Sequence, residues 1–65
     1  MSVTVNGEVR EIQEGLTVAA LIAQLNLIPR NVAIELNRRL LRSERYDTIL
    51  KAGDSVEIVT FVGGG

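Results

Sequence analysis

Three glycines, Gly63, Gly64 and Gly65, follow Phe61 and Val62 at the end of the sequence and account for half of its six glycines. Read as a free chain end, this stretch is expected to present a main-chain carboxylate on an arm without side chains. A carboxylate is a weak electrophile because its negative charge is shared between two oxygens. Reaction with ATP converts it to an acyl adenylate with release of pyrophosphate, and a sulfur nucleophile then displaces AMP. The product is a C-terminal thiocarboxylate, a sulfur atom carried on the main chain. Glycine suits such an arm because it has no Cβ and loses the most freedom on ordering, so 63–65 is expected to be a flexible tail. The same slenderness lets Gly63 and Gly64 thread a narrow partner channel and leaves Gly65 sterically open. A frayed end or a tag remnant is the plainer alternative. Against it, the run follows directly on an apolar segment, with no serine linker or tag residues.

Nothing else in the chain offers catalytic chemistry. There is no cysteine and no histidine, which removes disulfides, thiolate metal sites and the commonest general base and metal ligand. No metal site and no bound cofactor are expected. A chain of 65 residues is one domain near the lower size limit for a core without metal or disulfides, so a deep pocket has little room and function is expected at a surface or a chain end. The lack of cysteine fits a reducing compartment, and the expected location is the cytoplasm. "MSVTVNGEVR" carries no basic segment followed by an apolar run, and no apolar stretch approaches the ~20 residues of a membrane span. A net charge of −1 gives no reason to expect affinity for nucleic acid or anionic lipid.

The elements that must hold out such a tail are legible from periodicity. Val3 and Val5 alternate with Ser2 and Thr4, a strand pattern, and Asn6-Gly7 is the strongest short signal for a tight hairpin. On the return strand Arg10 and Ile12 share one face and Val9 and Glu11 the other, an imperfect alternation that leaves a bulge or a wider turn open. Val18, Leu21, Ile22 and Leu25 then fall at i, i+3, i+4 and i+7, one apolar stripe of a helix. Thr17 is its expected N-cap, Leu16 and Leu21 a hydrophobic staple, and Pro29 its stop. "VAIELN" reads as a strand with Val32, Ile34 and Leu36 on one face, and "RRLLR" as a short fourth strand. "SERYDTIL" reads as a loose turn that brings Ile49 and Leu50 inward. "KAGD" is a turn with Asp54 as turn former, and "SVEIVTF" is the last strand.

In that last strand Val56 and Ile58 point towards the helix, and Glu57, Val59 and Phe61 point away. Phe61 is the only phenylalanine in the chain. With Val59 and Val62 it forms a candidate partner-binding patch immediately before the glycines. Scattered exposed apolar residues, which are normal, and a dimer contact are the alternatives.

A hairpin, a crossing helix, two further strands and a final strand resemble the ubiquitin-like β-grasp. That is an α+β fold with a mixed four- to five-stranded sheet and one main helix across one face, here expected over residues 1–62. "VTVNGE", "LTVAALIAQL", "VAIELN", "LKAGDSVEIV" and the closing "VGGG" resemble, in order and over essentially the whole chain, the sulfur carrier proteins of thiamine (thiazole) biosynthesis. The resemblance implies that Gly65 is adenylated by a ubiquitin-activating-like adenylyltransferase, which consumes the ATP, and is then converted to the thiocarboxylate. It further implies sulfur supply by a cysteine desulfurase relay and delivery to thiazole synthase for the thiazole ring. The chain itself would be a protein co-substrate, not an enzyme. Two features depart from the family pattern: Asn37 is followed by Arg38 instead of a glycine or small polar residue, and Gly63 is one glycine more than the diglycine needs. Tyr46 falls near a family aromatic and is expected to pack.

Arg38, Arg39, Arg42 and Arg45 place four of the seven basic residues within eight positions. A solvated loop and strand edge, with Glu44 and Asp47 partly compensating, is the simpler reading, and contact with an acidic partner surface the other. No aromatic residue interleaves with them for base stacking. Two other functions remain open: the small sulfur-carrying subunit of molybdopterin synthase, whose chains are usually longer, and a non-covalent ubiquitin-like binding module.

Overall fold

Asn6 and Gly7 form a two-residue turn with φ of 50° and 83°, the left-handed values that a tight hairpin demands of both central residues. The turn joins β1 (Ser2–Val5) to β2 (Glu8–Glu11), paired from Ser2–Glu11 to Val5–Glu8 without a bulge. The imperfect alternation noted in β2 has a simple cause. β2 is an edge strand exposed along its whole length, so no buried face disciplines its pattern, and only Ile12 beyond it turns into the core. The structure is a computed structural model that describes residues 1–61; Val62, Gly63, Gly64 and Gly65, and the roles expected of them, lie outside the described residues.

Helix α1 (Val18–Gln24) starts where the spacing predicts, with the Thr17 hydroxyl accepting from the Ala20 amide at 3.1 Å. Its stop differs from the expected one. Asn26 adopts φ 59°, the Leu27 amide donates to the Ile22 carbonyl and the Asn26 amide to the Ala23 carbonyl, which is a Schellman ending with Asn in the place glycine usually takes. Pro29 instead opens a 3₁₀ turn (Pro29–Asn31) that leads into β3 (Val32–Leu36). Asn37 and Arg38, at φ 53° and 70°, make a second two-residue hairpin into β4 (Arg39–Leu41). The Arg38 departure therefore leaves the turn tight. It places a β-carbon where glycine would be unstrained.

A second 3₁₀ turn (Ser43–Arg45) and an extended segment return the chain to β5 (Ser55–Thr60). Leu50 is buried and Tyr46 packs in the core, as expected, but Ile49 is 57% exposed. Ile49 forms an isolated bridge with Thr17, and the Leu50 amide donates to the Leu16 carbonyl. In such extended pairing, neighbouring side chains point to opposite sides, so only one of the two reaches the interior.

The sheet order is β2-β1-β5-β3-β4, with β5 central, parallel to β1 and antiparallel to β3. This is a five-stranded mixed sheet with one helix across one face, the β-grasp arrangement. Val3, Val5, Ile34, Val56 and Ile58 from the sheet meet Val18, Leu21 and Ile22 from α1 in the core, each buried aliphatic contributing about 1.5–3 kcal/mol. Among the described residues no charged side chain is buried. The described interior is aliphatic apart from Tyr46, and the charged groups lie on the surface.

Candidate functional site

β5 occupies the middle of the sheet and precedes the glycines in sequence, and side chains from outside the strand fix it. Both hairpin turns do so through their asparagines. The Asn6 side chain accepts from the Ile58 amide at 2.7 Å and donates to the Ile58 carbonyl at 3.2 Å, while its own amide donates to the Val56 carbonyl. The side chain thereby continues the β1–β5 ladder past the point where β1 turns away. At the other turn, the Asn37 side chain accepts from the Ser55 amide at 2.9 Å and donates to Asp54 at 3.0 Å. Asp54 also accepts from the Lys51 amide, closing the "KAGD" turn in which Gly53 takes φ 84°. A bond from the Phe61 amide to the Asn31 carbonyl carries the β3–β5 pairing past Thr60.

Held this way, β5 shows two chemically different faces. Val56 and Ile58 are buried under α1, and Val59 and Phe61 are 57% and 56% exposed on the face with no helix. Residues opposite each other in register share a face, which places Ala33 beside Val59. Leu40 joins them from β4, paired with Glu35 and 69% exposed. Val59 and Phe61 are thus exposed on the open face, where the alternation of the last strand puts them, and Ala33 and Leu40 lie beside Val59 and Glu35 there. Val62, the third residue of the expected patch, lies outside the described residues.

Glu35 and Glu57 also face each other across the β3–β5 ladder on this side. Like charges directly opposite destabilise a sheet, and no cation of the chain comes within 4.0 Å of either among the described residues. Together with Arg38, Ala33, Leu40 and Val59 they line a shallow groove of about 430 Å³. Leu40, Ala33 and the carboxylate pair were missed from sequence because they depend on strand register. The available signal was the alternation in "RRLLR", which sends Leu40 and Leu41 to opposite faces once Asn37-Arg38 is taken as a two-residue turn.

Other candidates resolve differently. Arg38, Arg39, Arg42 and Arg45 are all exposed. Glu44 and Asp47 do not reach them: the only ion pair within 4.0 Å among the described residues joins the Met1 ammonium to Glu11 at 3.6 Å. Glu11 also accepts from the Ser2 hydroxyl, and this bond, then the nearby ammonium, holds its carboxyl below the usual carboxylate range. Among the described residues no group of three or more His, Cys, Asp or Glu could hold a metal ion, and no helix is long and apolar enough to cross a membrane.

Comparison with known proteins adds an independent line. The ThiS family model matches residues 3–65. The crystal structure of the thiamine biosynthesis protein (ThiS) from Geobacter metallireducens superposes with a TM-score of 0.83 at 39% identity, covering 100% of both chains. A thiazole synthase of Paramagnetospirillum magneticum is 38% identical over 66 residues, 100% of this chain but 20% of that protein. The uncharacterized protein ycf40 of Porphyra purpurea is 36% identical over 66 residues, 100% of this chain and 93% of its own length. The chain thus spans about a fifth of the length of the thiazole synthases it matches.

Proposed function

The chain belongs to the ThiS family, and from that premise we propose that it is a sulfur carrier for thiamine biosynthesis, with Gly65 as the reacting residue. In this reading the Gly65 carboxylate attacks the α-phosphorus of ATP on an adenylyltransferase and pyrophosphate leaves. Sulfide, or a persulfide from a cysteine desulfurase relay followed by reduction with a thiol, displaces AMP and leaves a thiocarboxylate. That sulfur passes to thiazole synthase for the thiazole ring. The carrier contributes no acid, base or metal. It contributes a recognisable surface and a slender end.

The observation that carries this reading is the split character of β5. The strand that leads to Gly63–Gly65 buries one face and exposes Val59 and Phe61 on the other, next to Leu40 and Ala33. A partner seated on that face would hold the strand from which Gly63 and Gly64 thread its active site. The matching thiazole synthases, which contain a region similar to this chain within a longer protein, support the assignment to the thiazole branch.

The test is intact-mass spectrometry after incubation with ATP, sulfide and the cognate activating enzyme. The expected result is the gain corresponding to one oxygen replaced by sulfur, localised to Gly65. No change with a demonstrably active enzyme contradicts the proposal. Deleting Gly64 and Gly65 separates carriage from mere binding: the shortened chain should still bind the enzyme through β5 and carry no sulfur.

A further inference from the structure

The arginine group is not absorbed by the sulfur-carrier reading, and the fold gives it a shape. Arg39 opposes Leu36 and Leu41 opposes Ile34, so these residues lie on the helix side of β4, away from the Val59–Phe61 patch. With Leu40, Arg42, Arg45 and Thr48 they line a concavity with a half-buried aliphatic floor of Leu36 and Leu41 and a rim of three guanidinium groups. None of the three is ion-paired among the described residues. β4 is the sheet's outer strand and pairs only with β3, so its other edge carries backbone donors and acceptors that the described chain does not use.

We propose that this edge is a second docking surface, which takes an extended acidic segment of a partner protein, with both carboxylates and aliphatic residues on the one face it turns to the concavity. Guanidinium groups engage carboxylates through two parallel bonds, an open strand edge accepts an added strand, and side chains two residues apart on that strand share the face of the guanidinium rim and the leucine floor. Charge complementarity selects an anionic occupant, and the aliphatic floor selects a protein over a nucleic acid. No aromatic side chain lines the concavity to stack a base, and a net charge of −1 provides no general attraction to polyanions. This concavity and the outer-face groove share Leu40 and no other lining residue.

The experiment titrates the ¹⁵N-labelled full-length chain with a short peptide repeating Glu-Ser-Val-Ser, which puts Glu and Val on one strand face, at a salt concentration of roughly 0.15 M, where loose surface attraction is largely screened. Amide shifts confined to β4 and the segment from Arg42 to Thr48 are expected. The same peptide with Gly in place of Val should bind about tenfold more weakly through loss of apolar contact. The Arg39→Gln, Arg42→Gln, Arg45→Gln variant should lose about tenfold or more, and the matching lysine variant several-fold despite its unchanged charge, because the planar fork is gone. Retained dispersion in the variants' spectra certifies the fold. A lack of shifts at β4, shifts spread equally over Arg10 and Lys51, or equal or tighter binding of an oligothymidylate of matched charge would each overturn the proposal. In the first case the arginines only keep a short edge strand from pairing with its like.

Discussion

The two faces of β5 divide the molecule's work within six residues. Towards α1, Val56 and Ile58 are buried and aliphatic, opposite Leu36 and Ile34 on β3. Towards solvent, Glu57 and Val59 are exposed, the first facing another carboxylate and the second beginning an apolar patch. The inner face follows the rule that burial stabilises. The outer face runs against what stability alone favours, with like charges paired and large apolar groups left wet. The proposed function uses that contrast by placing the partner on the outer face, where a cationic and apolar surface would relieve both costs.

Adjacent substitutions break the comparison most sharply. Ile58→Ala empties core volume and should cost about 2–4 kcal/mol in urea denaturation, whereas Val59→Ala, one residue away, should stay within about 0.5 kcal/mol. Comparable losses at both positions would mean that the outer face is structural after all. Asn6→Ala comes next. It removes two side-chain bonds and leaves the Ile58 amide and carbonyl part-buried without them, for an expected loss of about 1–3 kcal/mol. Hydrogen exchange should quicken at Ile58 in that variant and leave α1 protected. Arg38→Gly works the other way: relieving a left-handed φ of 70° should stabilise the chain by about 1 kcal/mol, read as a raised urea midpoint.

The smallest effect concerns Glu11 on the edge strand. Its carboxyl is lowered by the Ser2 hydroxyl and the Met1 ammonium, so its contribution to stability is full above the unfolded-chain pKa. That contribution fades as pH falls through the lower folded value. Glu11→Gln should therefore lower stability slightly at neutral pH and leave it nearly unchanged in acid, which flattens the acid limb of the stability–pH curve. An unaltered acid limb would show that the exposed pair contributes nothing measurable.

Much of this organisation was legible in the residues because it is local. The helix stripe, the Thr17 cap, the Asn6-Gly7 turn and the alternation of β5 depend on neighbours a few positions apart, and each is found where periodicity places it. What escaped depends on register or on competition between signals. Leu40 and the Glu35–Glu57 pair become visible only once β3 is aligned with β4 and β5. Pro29 overshadowed Asn26, whose left-handed conformation ends the helix first. Ile49 looked as apolar as Leu50, and only its bridge to Thr17 decides which of the two faces water. For the candidate site, sequence supplied Val59 and Phe61 and the fold supplied their neighbours.

The most direct measurement of the account is ATP–pyrophosphate exchange by the cognate activating enzyme, with the wild-type chain and the Val59→Ser, Phe61→Ser variant as co-substrates. Loss of two apolar contacts should raise KM for the variant about tenfold or more, with kcat and the urea midpoint nearly unchanged. An unchanged kcat/KM for a folded variant would contradict the claim that the outer face of β5 presents the chain end to its partner.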